Sequence, residues 1–129
     1  MARSELFEKG LENRKAVLGA EHVERSLASA DDFTRPMQEL VTEYCWGAVW
    51  GRTDLPRKTR SIINLAMLTA LNRPHELKVH VQGALRNGVT VEEIRGILLQ
   101  AGIYCGMPAA LDAFRVASEA IKTFEGAKT

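Results

Sequence analysis

Apolar residues recur along this chain at helical spacing, and no segment alternates apolar and polar residues for long enough to form a strand. The pattern predicts a first helix from Ser4 to Leu18, stopped at Gly19, and a short one over Glu21 to Ala28. Asp31 and Asp32 are expected to open a longer helix, acidic where the backbone dipole favours negative charge. Met37, Leu40, Val41, Tyr44, Cys45, Ala48 and Val49 follow an i, i+3, i+4, i+7 rhythm, predicting an apolar core stripe that ends at Gly51. Asp54 and Pro56 start the next helix, where the missing proline N–H costs nothing.

Within that helix, Ile62 to Leu71 is apolar on nearly every side, interrupted only at Asn64 and Thr69. Such a helix is central or is also buried against another subunit. Asn72 and Pro74 mark another stop and start, and Gly88 closes the helix that carries His80. Thr90 and Glu93 form a predicted capping box, and behind it Val91, Ile94, Ile97, Leu98, Ala101 and Cys105 are expected to form the core face. Gly106 and Pro108 break the chain, a last helix runs to about Phe124, and the terminal GAKT should fray. The expectation is an all-α compact bundle of six or seven helices, a single domain over residues 1–129.

Composition narrows the possible partners. A chain of 129 residues, 46% hydrophobic, is long enough for one core. The charges nearly cancel at +1 and form no block, and aromatics are only 6%, so neither nucleic acid nor a membrane is an expected partner. The opening MARSELFEKG mixes charges of both signs without an apolar core, so no secretory signal is read there and a cytoplasmic location is expected. Cys45 and Cys105 are the only cysteines, 60 residues apart, and are read as two buried, reduced thiols.

Chemistry is legible at a few positions. Glu76 and His80 are four apart on one predicted helix, and a carboxylate there can orient the imidazole and raise its basicity. The same spacing also arises on ordinary solvated helices. Trp46 and Trp50, with Glu43 and Gly47, form a second face opposite the apolar stripe, which suits a pocket wall, a subunit interface or plain core. Arg52, Arg57 and Arg60 cluster near a turn and are candidates for holding carboxylates, although basic turn residues are often simply solvated. His22 and His75 read as surface or helix-terminal residues. Three scattered histidines assemble no metal site, and no HExxH, GxGxxG, Walker A or GxSxG motif is present.

The run from Trp46 to Ala110, and above all HVQGALRNGVTVEEI followed by IYCGMPAA, resembles the carboxymuconolactone decarboxylase family. The resemblance extends over about residues 8 to 122 and includes Arg14, Val17, Leu18 and Gly19. It implies an alkylhydroperoxidase-like helical fold and a homo-oligomer, hexamer or trimer, consistent with the surplus apolar surface of Ile62–Leu71. Relatives with peroxidase activity carry CxxCxxxH. With the histidine set on His80, Arg73 and Glu76 occupy the two cysteine positions, so dithiol chemistry is not expected. His22 stands where an aromatic residue is expected in the decarboxylase branch.

The activity so implied is that of a carboxy-lyase converting 4-carboxymuconolactone to 3-oxoadipate enol-lactone in bacterial protocatechuate (β-ketoadipate) catabolism. No cofactor is expected, because the lactone can accept the electrons itself. The resemblance casts His80 as proton donor oriented by Glu76, and Arg60 or Arg52 as carboxylate binder. Trp46, Trp50 and Tyr104 would wall a dry pocket. Alternatives are another lactone-acting or alkylhydroperoxidase-like enzyme of this fold without CxxC chemistry, and a non-catalytic helical assembly protein.

Overall fold

A computed structural model of the chain describes residues 3–127. Among them are seven α-helices, one π-helical segment and no strand, so the all-α expectation holds. The elements are α1 (Glu5–Leu18), α2 (Ala20–Ala28), α3 (Arg35–Leu40) running straight into a π-helical segment (Val41–Val49), α4 (Arg57–Ala70), α5 (Pro74–Arg86), α6 (Val91–Cys105) and α7 (Met107–Ala127). They fall into two compact units, one ending at Pro56 and one beginning at Arg57. No helix among the described residues is long and apolar enough to cross a membrane.

In the first unit, Ser4 Oγ accepts from the Phe7 N–H at 3.0 Å and Glu5 and Glu8 occupy the first turn, so α1 starts one residue beyond the expected position. Asp31 does not open a helix. Its Oδ1 accepts from the N–H groups of Phe33 (3.0 Å) and Thr34 (2.9 Å), closing a side-chain turn. The helix then begins at Arg35, with Pro36 in its first turn.

The expected core stripe is turned outward. Met37, Leu40, Tyr44 and Val49 are 50–63% exposed, whereas Thr42, Trp46, Gly47 and Trp50 are buried. The cause is the way α1 meets the π-helical segment. A Cβ on Gly10 would collide with the Thr42 carbonyl and one on Gly47 with the Leu6 carbonyl, so the two backbones touch where side chains are missing. Polar bonds complete that face. Arg14 Nη1 donates to Thr42 Oγ1 at 3.0 Å, and that hydroxyl donates to the Gln38 carbonyl at 2.7 Å. The Trp50 N–H passes over the Trp46 carbonyl and reaches Cys45 O at 3.0 Å. Asn13 Nδ2 donates to the Trp46 carbonyl instead, at 2.9 Å.

The second unit closes around Leu65, Leu77, Val81, Ala84, Val89, Ile94 and Leu98, with Ala113, Ala117 and Ala120 of α7 against them. The small residues let α7 approach closely; a Cβ on Gly102 of α6 would stand 2.8 Å from the Ala110 methyl. The predicted capping box is present: the Glu93 N–H donates to Thr90 Oγ1 at 3.0 Å and the Thr90 N–H to Glu93 Oε1 at 2.9 Å. Gly106, at φ 126°, makes the break before α7 that an L side chain would resist. The last helix outruns the expected Phe124 and continues to Ala127, with the Arg86 guanidinium 5.4 Å from the Phe124 ring. Of the expected frayed tail, Gly126 and Ala127 are therefore helical, and Lys128 and Thr129 lie outside the described residues.

α4 shows the surplus apolar surface anticipated for Ile62–Leu71. Ser61, Leu65 and Thr69 are buried, Ile62 and Leu68 lean on the core, and Ile63, Met67 and Leu71 stay exposed.

Candidate active site

The α4–α5 hairpin brings the candidate chemistry together. Asn72 adopts φ 55°, the left-handed conformation that asparagine tolerates, and the Arg73 N–H donates to the Leu68 carbonyl at 2.9 Å, reversing the chain. Pro74 then starts α5. Two side-chain bonds set the antiparallel register: Asn87 Nδ2 donates to Ser61 Oγ at 2.9 Å, and Asn64 Nδ2 meets His80 Nδ1 at 3.5 Å. Each member of the second pair adjoins a fully buried residue, Leu65 on α4 and Val81 on α5. Packing thus holds the half-buried imidazole and amide where they are.

Arg60 lies one turn before Asn64 on α4 and is buried. At i and i+4 the two share a helix face, so guanidinium, amide and imidazole belong to one stretch of the hairpin. Glu76, one turn before His80 on α5, is exposed. Asn64 was not anticipated as a functional residue, yet a signal existed. Two polar residues interrupt Ile62–Leu71, and one of them, Thr69, satisfies itself locally by donating to the Leu65 carbonyl at 2.7 Å. Asn64 reaches across to another helix.

The candidates Trp46, Trp50, Arg52 and Tyr104 are not on this hairpin. Arg52 is exposed and bridges Asp54 at 2.9 Å. Trp46 and Trp50 are buried and stacked, ring centroids 4.7 Å apart at 29°. Tyr104 is 81% exposed, so a second molecule or a second copy must cover it before it can wall a dry space. His75 is exposed and His22 half-buried. Arg14, known at first only from the resemblance, is a second buried guanidinium; burial lowers its affinity for the proton, and the nearby Cys45 offsets this in part. Burial likewise raises the Cys45 thiol above the ordinary range. Cys45 and Cys105 form no disulfide, and neither is buried as expected: Cys45 is half-buried, and Cys105, in the last turn of α6, is exposed. No three His, Cys, Asp or Glu side chains among the described residues could jointly hold a metal ion.

Two cavities are lined by residues outside this hairpin. One of about 380 Å³ in the first unit is lined by Phe7, Leu27, Gln38 and Glu39 among others. Another of about 360 Å³, between α6 and α7, has Ile94, Leu98, Phe114 and Ile121 in its lining and includes Arg95 and Lys122.

The α4–α5 hairpin of this all-helical chain carries a half-buried histidine and a buried arginine, side chains of the kinds that can move a proton and bind an anion. Comparison with known proteins makes the class specific. A sequence profile described as "Carboxymuconolactone decarboxylase family" matches residues 35–119, and the chain belongs to that family. It is 47% identical to a nitrosuccinic acid decarboxylase of Metarhizium robertsii, over 90% of this chain and 81% of the relative. It is 41% identical to the 4-carboxymuconolactone decarboxylase of Acinetobacter baylyi, over 90% of this chain and 87% of the relative. A 4-carboxymuconolactone decarboxylase of Pseudomonas putida is 36% identical over a shorter stretch, 36% of this chain and 98% of the relative. These matches support a carboxy-lyase.

Proposed function

We propose that the protein decarboxylates 4-carboxymuconolactone to 3-oxoadipate enol-lactone, a step of protocatechuate (β-ketoadipate) catabolism. The observation that carries this reading is the half-buried His80 held beside α4, with buried Arg60 a turn from its partner Asn64, in a chain 41% identical to an enzyme of that name. In this substrate one ring carbon bears both the carboxylate to be lost and a carboxymethyl group. The bond from that carbon to the carboxylate breaks, CO2 departs, and the electron pair moves through the ring double bond into the lactone carbonyl. The resulting dienolate takes one proton at the carbon alpha to the carbonyl. The lactone is its own electron sink, so the reaction itself calls for no cofactor.

Three tasks remain for the protein: to hold the retained carboxylate, to stabilise the growing oxyanion and to deliver the proton. Arg60 is assigned to the carboxylate in preference to Arg52, because a guanidinium sheltered from water binds an anion more strongly than an exposed one. His80 delivers the proton, and Glu76 a turn away adds negative potential that favours the protonated ring.

A second reading is favoured by the 47% identity to the nitrosuccinic acid decarboxylase. Nitrosuccinic acid also carries the departing carboxylate and a CH2-carboxylate on one carbon, with a nitro group in place of the conjugated lactone as sink. Both substrates are succinates activated at C2, and the same anion holder and proton donor serve either. Incubating the purified, EDTA-dialysed protein with each compound and following CO2 release decides between them. Turnover of the lactone supports the first reading, and turnover of nitrosuccinate alone selects the second. No CO2 from either removes both.

The functional unit is proposed to be a homo-oligomer, a trimer or hexamer. Ile63 and Met67 on α4, Leu71 just after it, Leu99, Ile103 and Tyr104 on α6, and Met107 and Leu111 on α7 are all exposed. That much apolar surface is characteristic of subunit contacts rather than of a monomer's exterior.

A further inference from the structure

We propose that the cavity between α6 and α7 binds a second ligand, a small amphipathic molecule with an apolar chain and a single carboxylate. Its volume, about 360 Å³, falls within the range of small-molecule sites. The packing of α6 on α7 creates it. At Gly102 and Ala110 the two helices come so close that a Cβ on the glycine would stand 2.8 Å from the alanine methyl. Toward the start of α6 and the end of α7 a gap remains between them, and Leu98, Phe114 and Ile121 line it.

Floor and rim differ in kind. Leu98 belongs to the core, whereas Phe114 and Ile121 pack against it and stay only partly buried. Arg95 of α6 and Lys122 of α7 line the same cavity from its two helices. Both are exposed, and among the described residues neither is in an ion pair. Glu125 is the one acidic residue in the lining, so two cations stand against one carboxylate. A carboxylate at the rim gains both cations, while an apolar chain below it takes Phe114 and Ile121 out of water. A second carboxylate would have to leave water for an apolar floor, which limits the ligand to one. Another copy of this chain is the poorer occupant. The large exposed apolar residues of these two helices are Leu99, Ile103, Tyr104, Met107 and Leu111, and none of them lines the cavity. The site also uses no residue assigned to decarboxylation, so it stands apart from that reading.

Octanoate is the probe, titrated calorimetrically into the intact protein, with octanamide as the same chain without the charge. Octanoate should bind saturably with a Kd of roughly 1 mM or tighter, as expected for a ligand of its size. Octanamide should bind roughly tenfold more weakly, the loss of one charge-assisted contact. Arg95→Gln combined with Lys122→Gln should weaken octanoate by at least roughly tenfold on the same grounds. Ser118→Trp, which fills the space from an exposed position in its lining, should abolish binding. Circular dichroism checks that each variant is folded, and if Ser118→Trp is not, the charge variant decides alone. Absence of saturable binding, equal affinity for octanamide, or octanoate binding unaltered in the folded variants overturns the proposal. A shift of the Arg95→Gln, Lys122→Gln protein to a smaller species in the ultracentrifuge also overturns it, by making the cavity a subunit contact.

Discussion

Replacing Asn13 by alanine removes the donor that the π-helical turn requires. In an α-helix the Trp46 carbonyl would accept from the Trp50 N–H, but here that N–H goes to Cys45 and Asn13 Nδ2 takes its place at 2.9 Å. Asn13 is buried, as is Trp46, so water is poorly placed to substitute. Loss of a donor to a buried carbonyl costs about 1–3 kcal/mol. For a chain of this size, a loss near 2 kcal/mol lowers Tm by roughly 5–10 °C. Asn13→Asp should cost more, because it sets a buried negative charge against the carbonyl oxygen. The only two tryptophans are the stacked pair on this segment, so their fluorescence reports unfolding at the perturbed place. Urea titrations at a single protein concentration give the free energies and remove the mass-action effect of any self-association. If Asn13→Ala matched wild type within a few tenths of a kcal/mol and left the tryptophan spectrum unchanged, the account of this segment would be wrong.

Other consequences follow from the two units. His80→Ala should lower kcat by ~10²–10⁴-fold while the far-ultraviolet circular dichroism stays helical, with Glu76→Gln costing less; wild-type turnover from folded His80→Ala would return this histidine to a structural role. Analytical ultracentrifugation should show a species several times the 14.3 kDa chain, and Ile103→Glu, a charge placed on an exposed apolar face, should shift it toward monomer. A monomeric wild type with full activity would refute the assembly. The Glu93 carboxyl is held below its ordinary range, first by the Thr90 N–H and also by Lys58 at 3.3 Å. Its folded value is depressed, so the cap's contribution is complete above the ordinary glutamate range and fades as pH falls through the lower folded value. Glu93→Gln should flatten that acid limb of the Tm–pH curve, and an unaltered limb would show that the cap does not titrate with folding.

Much of the molecule is local and was legible without coordinates. Helix ends at Leu18, Arg86 and Cys105 follow from glycine and asparagine just beyond them, and the Thr90–Glu93 box from two side chains three residues apart. His80 and Arg60 could be singled out because imidazole and guanidinium carry chemistry wherever they fall. The buried face of the segment after α3 could not be read, because a 3.6-residue period presupposes α-helical winding. Here i→i−5 bonding and the near-contact of Gly10 with Thr42 choose the face instead. Nor does spacing reveal that Asn64 meets His80, since a bond across sixteen residues exists only once Leu65, Leu77 and Val81 have packed the hairpin closed. Local chemistry sets where helices begin and end, while which side each one buries, and which side chains then face one another, is decided by the partner it packs against.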